Sequence, residues 1–258
     1  MNTSGLRTIT YNVLQCSGFP KDGARKRMGD LQEQQMPRRF ALELELYHPD
    51  IITFQEAPEE RVVREIADLL KMHYVFFPSG LRWPGALLTR WNIVRSQNCP
   101  IREGHRPEDL FTRHWGMAVV HDPEGNEYVI HSVHLHPSSN DLRAQEVSYV
   151  IQALEDDLRA QKNVILQGDM NHMPDMPSYQ RWLQAGLIDT FTHSGEGDGL
   201  SFEAHYPFKR IDYVFANKTL IGRHQVTRTL YEGEFRLNRA DPEDFSLSDH
   251  LPVLAVFR

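Results

Sequence analysis

The sequence predicts an α+β protein in which two packed, largely antiparallel sheets are flanked by helices. Three observations lead there. Short runs rich in β-branched and aromatic residues are interspersed with a few segments of helical period along the 258 residues. Turn signals set neighbouring runs side by side, most clearly Pro123-Glu124-Gly125-Asn126 between two strand-like runs. No repeat, low-complexity tract or linker divides the chain, so residues 1–258 read as one domain.

Leu6 to Leu14 alternates and is rich in Ile, Thr, Tyr and Val, which marks a strand. The basic stretch Lys21 to Arg39 reads as a loop and helix start that continues through Leu42, Leu44 and Leu46 until His48-Pro49 stops it. Asp50 to Phe54 is a second strand ending in Gln55-Glu56. Pro58 then opens a helix as its first residue, with Val62, Val63, Ile66, Leu69 and Leu70 on the buried side. His73 to Pro78, Ala86 to Thr89 and Ile93 to Ser96 read as antiparallel strands, and Glu103 to His114 as a charged loop.

Trp115 to Asp122 and Glu127 to Leu135 form a hairpin. A helix with Val147, Val150, Ile151, Leu154 and Leu158 on its apolar stripe follows. Val164-Ile165-Leu166-Gln167-Gly168-Asp169-Met170-Asn171 is a buried strand that ends in a polar turn, bounded by Pro174 and Pro177. After a short helix near Tyr179 to Gln184 and a loop from His193 to Gly199, Arg210 to Phe215 is a strand. Ile221 to Tyr231 is expected to pair beside it, and Glu232 to Asp244 to form a polar, mobile loop. Ser248-Asp249-His250 leads into the last strand, Leu251 to Phe257.

Hydrophobic residues at 40% and charged residues at 24% are ordinary for a soluble globular protein. A net charge of -7 counts against a nonspecific grip on long nucleic acid, which asks for a basic balance. Two cysteines, Cys16 and Cys99, make neither a disulfide framework nor a Cys-rich metal site. No basic n-region leads into an apolar h-region at the N-terminus, and no apolar run would span a bilayer. A cytoplasmic monomer is the expectation.

Polar groups recur where strands end or begin: Asn12, Glu56, His134, Asp169 with Asn171, Asp212, and Asp249 with His250. In a sandwich these ends can converge at one edge. Carboxylates and carboxamide oxygens without cysteine suit a hard cation such as Mg2+. A histidine beside acids suits proton transfer near neutral pH. Together they are the parts for hydrolysing a phosphate ester.

Plainer readings exist for each residue. Asp169 and Asn171 could form an idle Asx turn. Glu56 could serve a helix dipole, Asp212 could pair with Arg210, and His250 could be a core histidine. His131, His134 and His136 do not make a zinc site, because alternation points His131 away from the other two. His136 and His172 are rim candidates. Arg113 either reaches a substrate phosphate or is solvated. Lys21 to Arg39 either borders the site or forms a charged helix face. Trp83, Trp91, Phe111 and Trp115 either stack on a base or fill the core.

Thr10-Tyr11-Asn12, Phe54-Gln55-Glu56, Val133-His134-Leu135, Gly168-Asp169-Met170-Asn171, Arg210-Ile211-Asp212-Tyr213 and Ser248-Asp249-His250 resemble, in order, the motifs of the endonuclease/exonuclease/phosphatase superfamily, the DNase I-like metal-dependent phosphodiesterases. The resemblance runs from Leu6 to Arg258. It implies a four-layer α/β/β/α sandwich with the site at one end of the two sheets. It also implies Glu56 as principal Mg2+ ligand, with Mn2+ as an alternative ion, and Asn12 at the metal or phosphate. Asp249 would sit at the metal. Asp169 would orient the attacking water or help hold a second metal, and Asn171 would fix that water and a phosphate oxygen. His250 resembles the general base, oriented by Asp212, and His134 would donate to the phosphate.

The substrate is less legible, because the superfamily handles DNA, RNA, protein–DNA adducts, lipids and small phosphates with one core. The Tyr-x-Pro-Asn-type motif of abasic-site endonucleases is not found. Arg143-Ala144-Gln145-Glu146 loosely resembles the branch holding deadenylases, tyrosyl-DNA phosphodiesterase-like enzymes and sphingomyelinases. Nucleic acid or nucleotide phosphodiesters are the expected substrates. A lipid or inositol phosphate hydrolase is the alternative, and a binding module without catalysis is the alternative from another class.

Overall fold

The computed structural model describes residues 5–102, 104–237, 240–241 and 244–258. Its elements are β1 (Arg7–Asn12), α1 (Lys21–Met28), α2 (Gln32–Glu45), β2 (Ile51–Gln55), α3 (Glu60–Leu70), β3 (His73–Phe77), β4 (Gly85–Thr89), β5 (Asn92–Asn98), β6 (His114–His121), β7 (Glu127–His134), α4 (Asn140–Arg159), β8 (Asn163–Asp169), α5 (Pro177–Gln184), β9 (Leu187–Asp189), α6 (Thr190–Ser194), β10 (Gly195–Glu196), β11 (Asp212–Asn217), α7 (Lys218–Ile221), β12 (His224–Thr229) and β13 (Val253–Phe257).

One sheet has the order β10-β12-β13-β1-β2-β4-β3 and the other β5-β6-β7-β8-β11-β9. Neighbours are antiparallel except β1 with β2, β7 with β8, and β10 with β12. Side chains alternate along each strand and sort the core into layers. In β8, Val164 and Leu166 join the cluster under α4 and α5, while Ile165 joins Ile130, Val214 and Phe257 between the sheets. Phe40, Leu44, Phe54 and Ile66 pack α2 and α3 on the outer face of the first sheet. The order is therefore helix, sheet, sheet, helix, as the motifs imply. Burying each such Leu, Ile or Phe contributes about 1.5–3 kcal/mol relative to exposure.

The same alternation aims the site. Asp169 shares its face with Ile165 and Gln167, so it points into the space between the sheets. Gln167 bridges that space: it accepts from Thr8 Oγ1 at 2.7 Å and donates to Thr53 Oγ1 at 2.9 Å and to the Ile9 carbonyl at 3.1 Å. Asn12 shares its face with Thr8, so it meets Asp169. Register then aligns the polar ends, with Asn12 opposite Gln55, His134 opposite Asp169, and Asp212 opposite Asp169. Gly168 makes room for this. A Cβ there would lie 1.9 Å from the Val133 carbonyl oxygen, and its φ is +148°.

Several expectations need correction. β12 does not pair with the Arg210 to Phe215 strand; it pairs with β13 and β10 in the other sheet. Both edges of β11 are already taken, by β8 and by the three-residue β9, so the chain crosses sheets through α7. Pro58 is not the first helical residue. Helix α3 begins at Glu60 with Glu59 extended as its N-cap. Leu69 is 48% exposed, because the buried stripe centres on Val63, Ile66, Ala67 and Leu70. The basic stretch is divided: Lys21–Met28 form the separate helix α1, and Arg38 and Arg39 lie within α2. Glu103, and residues 238, 239, 242 and 243 of the expected mobile loop, lie outside the described residues. The described part of that loop is not all polar, since Phe235 is buried edge-on to Tyr11 at 5.6 Å.

Candidate active site

Asp169 is the hub. Its Oδ2 accepts from Asn12 Nδ2 at 3.1 Å and lies 3.5 Å from His134 Nε2 and 3.8 Å from His250 Nε2. Its Oδ1 accepts the Asn171 N–H at 3.0 Å. His250 Nδ1 meets Asp212 Oδ2 at 2.9 Å. With the Nδ1–H donated to Asp212, Nε2 faces Asp169. Ser201 Oγ donates to the same Asp212 oxygen at 2.6 Å, and the Phe202 ring lies 4.8 Å from the His250 ring. The Ser248 hydroxyl donates to the Asn12 carbonyl at 2.7 Å, tying the entry of β13 to the end of β1.

Charge accumulates here out of water. Burial and then the Asp212 charge raise Asp169 to about 7, against the pull of His250 and Asn12. Burial pulls His250 down, but Asp212, Asp169 and Asp249 outweigh it and raise it to about 10. Burial, then His114, Arg113 and His250, hold His134 well below its usual value, so it is a neutral imidazole. Its Nδ1 is buried without a partner.

Glu56 stands just past β2 with φ +49°, and Gln15 N–H donates to its carbonyl at 2.7 Å. Burial raises its carboxyl, His250 lowers it, Asp249 raises it again, and Asn12 and Arg113 lower it. Glu56 and Asp249 thus repel each other beside Asn12, and hard oxygen donors in that state fit a divalent cation. A second arrangement is also present: Asp169, Asp212 and His250 offer ligand atoms within 4.8 Å of one another. Asp212 Oδ2 takes two hydrogen bonds, whereas its Oδ1 is buried with no partner in the protein. A cavity of about 560 Å3 begins one residue past Glu56 in the chain, lined by Gln15, Ala57, Pro58, Val62, Phe76 and Arg82 among others.

Asn12, Glu56, His134, Asp169, Asn171, Asp212, Asp249 and His250 therefore come together at one end of the sheets. Asn171, at φ +50°, donates from Nδ2 to the Leu135 carbonyl at 3.0 Å, which ties its carboxamide to the end of β7. Arg113 is half-buried above Trp83, 5.8 Å from the ring centroid, and acts on both Glu56 and His134. Most other candidates fall outside. His172 is not at the rim: it is buried and accepts from Trp182 Nε1 at 3.0 Å. His136 is not removed from the rim: it is half-buried within reach of Arg113, and its Nδ1 accepts the Ser139 N–H at 3.0 Å. His131 accepts from Trp115 Nε1 at 3.1 Å, facing away from the site. Trp91, Phe111 and Trp115 are core residues. From the basic stretch, Arg27 pairs with Asp241 and Arg39 with Glu234. Arg210 pairs with Asp189 at 2.7 Å, which leaves Asp212 to His250.

Sequence reasoning missed Ser201 and Phe202. They are brought over His250 by chain return, as the Leu251 N–H donates to the Ser201 carbonyl at 2.7 Å, and no local pattern marks them.

The model of the Endonuclease/Exonuclease/phosphatase family matches residues 9–250. An endonuclease/exonuclease/phosphatase family protein from Bacteroides thetaiotaomicron superposes with a TM-score of 0.78 at 18% identity, covering 99% of this chain and 98% of that one. A mannosyl-6-phosphatase from the same species superposes at 0.75 and 17% identity, covering 98% of this chain and 100% of the other. Truncated TDP2 from Caenorhabditis elegans gives 0.67 at 16% identity, with 98% of both chains covered. Among curated proteins none matches the sequence.

Proposed function

The chain belongs to the endonuclease/exonuclease/phosphatase family, a family of phosphoric ester hydrolases, and on that premise we propose that it is a Mg2+-dependent phosphodiesterase acting on nucleic acid or nucleotides. The observation that carries this reading is the buried Asp212–His250–Asp169–Asn12 chain of contacts. It has the parts of a device for activating water. Asp212 fixes the direction of His250; a bound cation would offset Asp169 and Asp249, two of the groups that keep the imidazole protonated, and Nε2, once deprotonated, takes a proton from a water held against Asp169. Asn12 and the Asn171 N–H keep the Asp169 carboxylate in place for that task. His134, neutral, and Arg113 face the phosphoryl oxygens. In this reading Glu56 and Asp249 hold Mg2+ with oxygens of Asn12 and Asp169. When bound, the cation draws charge from the phosphoryl oxygen and offsets the crowded carboxylates. Water enters in line, and the P–O bond to the leaving alcohol breaks.

In this reading the cavity lined by Ala57 and Pro58, the residues next to Glu56, would take a substituent on phosphorus. On the His250 side, Phe208 is 57% exposed with its ring 5.8 Å from Phe202, offering a surface on which a base can stack. No described helix is long and apolar enough to cross a membrane. The free thiols of Cys16 and Cys99 support a reducing, cytoplasmic setting.

A substrate panel tests the reading. Bis-p-nitrophenyl phosphate, single-stranded and duplex DNA, RNA, nucleotides and phosphorylated lipids are each offered with Mg2+ or Mn2+. Metal-dependent turnover that prefers nucleic acid or nucleotides is expected, and Glu56→Ala and His250→Ala should abolish it. Preference for the lipids would move the assignment to a lipid phosphate hydrolase. Binding without turnover of any ester would make the chain a binding module.

A further inference from the structure

Helix α4 carries a buried carboxylate that the chemistry above does not use. Glu146 has no exposed surface. It accepts the Phe111 N–H at 2.6 Å on one oxygen and the His136 N–H at 2.7 Å on the other. The donors belong to different connections: Phe111 lies on the segment entering β6, and His136 on the segment leaving β7. One turn earlier on the helix, Arg143 donates to the carbonyls of His136 and Pro137 and to the Asn140 side chain. The His136 residue is thus held at its N–H by Glu146 and at its C=O by Arg143.

Each connection ends in a group aimed at the site. Arg113 follows Phe111 by two residues, and His134 precedes His136 by two. Phe111 holds a left-handed φ of +51°, unfavourable for a bulky side chain, with its ring against Trp115 at 4.9 Å. Its N–H is fixed in that posture by Glu146. Arg113 Nε is buried and makes no hydrogen bond within the protein, and its guanidinium bears on both Glu56 and His134.

We propose that Glu146 is a positioning residue: its carboxylate clasps the two connections together and thereby sets Arg113 at the distance from His134 that a substrate phosphoryl group requires. The proposal rests on the reading of Arg113 as a phosphate-binding group. Without the carboxylate, the segment before β6 loses its tie to the segment after β7, and Arg113 is free to leave its seat over Trp83.

A double-mutant cycle on the full chain tests this. Arg113→Ala, Glu146→Gln and the double variant are compared for KM and kcat on bis-p-nitrophenyl phosphate with Mn2+. Calorimetric binding of inorganic phosphate repeats the comparison without turnover, and urea unfolding reports stability. Arg113→Ala should weaken phosphate binding and raise KM about tenfold, the loss of one charge-assisted contact. Glu146→Gln should raise KM nearly as far with kcat little changed, and the double variant should be no worse than Arg113→Ala, while the stability losses add. Glu146→Asp keeps the charge with a shorter reach and should fall between wild type and Glu146→Gln. Binding losses that multiply in the double variant, or a Glu146→Gln protein that binds phosphate as wild type does, would overturn the proposal. An unchanged Arg113→Ala would remove both the phosphate role of Arg113 and the proposal, yet leave a metal-dependent hydrolase standing. Absence of turnover in wild type would retire the hydrolase instead, with the phosphate-binding cycle still deciding the clasp.

Discussion

Replacing Asp212 by Asn leaves the shape of the site nearly unchanged and removes one charge from its most enclosed contact. His250 rises from 6.5 to about 10, and Asp212 is the largest of the groups that raise it. That net rise corresponds to on the order of 5 kcal/mol, and Asp212 is the largest of the groups behind it. Without it the largest support for the imidazolium is gone, burial pulls the group down, and no carboxylate chooses its tautomer. An asparagine that turns its NH2 toward Nδ1 would even place the proton on Nε2, the nitrogen that faces Asp169. The expected result is a fall in kcat of roughly 100- to 1000-fold. KM should stay within about threefold, because Asp212 lies behind His250 and touches no substrate. The assay is steady-state hydrolysis of bis-p-nitrophenyl phosphate with Mg2+, beside urea unfolding of both proteins. Equal loss in kcat and in substrate affinity, or a fall in kcat below about tenfold, would refute the assignment of Asp212 as the partner of His250.

Other perturbations separate the parts of the account. Glu56→Gln should weaken Mn2+ binding at least about tenfold by calorimetry, since it takes one of two repelling carboxylates from the cation; unchanged affinity would move the ligands elsewhere. His131 is held by burial at about 4, below its ordinary 6.5, so it stabilises the fold above pH 6.5 and that stability is lost as pH falls toward 4. By pH 5 the loss should reach about 2 kcal/mol relative to His131→Gln in urea unfolding, and an identical pH dependence in both proteins would contradict the burial argument. Gly168→Ala forces a methyl against the Val133 carbonyl and should cost about 3 kcal/mol or more in the same measurement; a loss below about 1 kcal/mol would show that β7 and β8 can part there.

Much of this arrangement was legible in the chain itself. A strand with period 2 must send Ile165, Gln167 and Asp169 to one face, so an apolar run ending in Gly168-Asp169 already says that the acid continues a buried face. The ends of β1, β2, β7 and β8 carry the same signature, and parallel pairing of β1 with β2 and of β7 with β8 sets them level. What failed did so for want of partners. Ile221 to Tyr231 reads as a strand, but nothing local says that Leu187–Asp189 has already claimed the edge of β11. His172 lies three residues after Asp169 and looks like a rim group; only the fold brings Trp182 against it. Ser201 carries no motif, and the loose Arg143-Ala144-Gln145-Glu146 resemblance says nothing of the Phe111 and His136 N–H groups that Glu146 accepts, because those partners meet it from other segments.

The central claim is that strand ends from both sheets meet around a divalent cation. Anomalous diffraction from crystals soaked in Mn2+ tests it most directly. The account predicts a peak within coordination distance of the Glu56 carboxylate, with Asp249 contributing and Asp212 still bonded to His250. A peak bound by residues away from Glu56, or saturating Mn2+ with no peak at this end of the sheets, would contradict it.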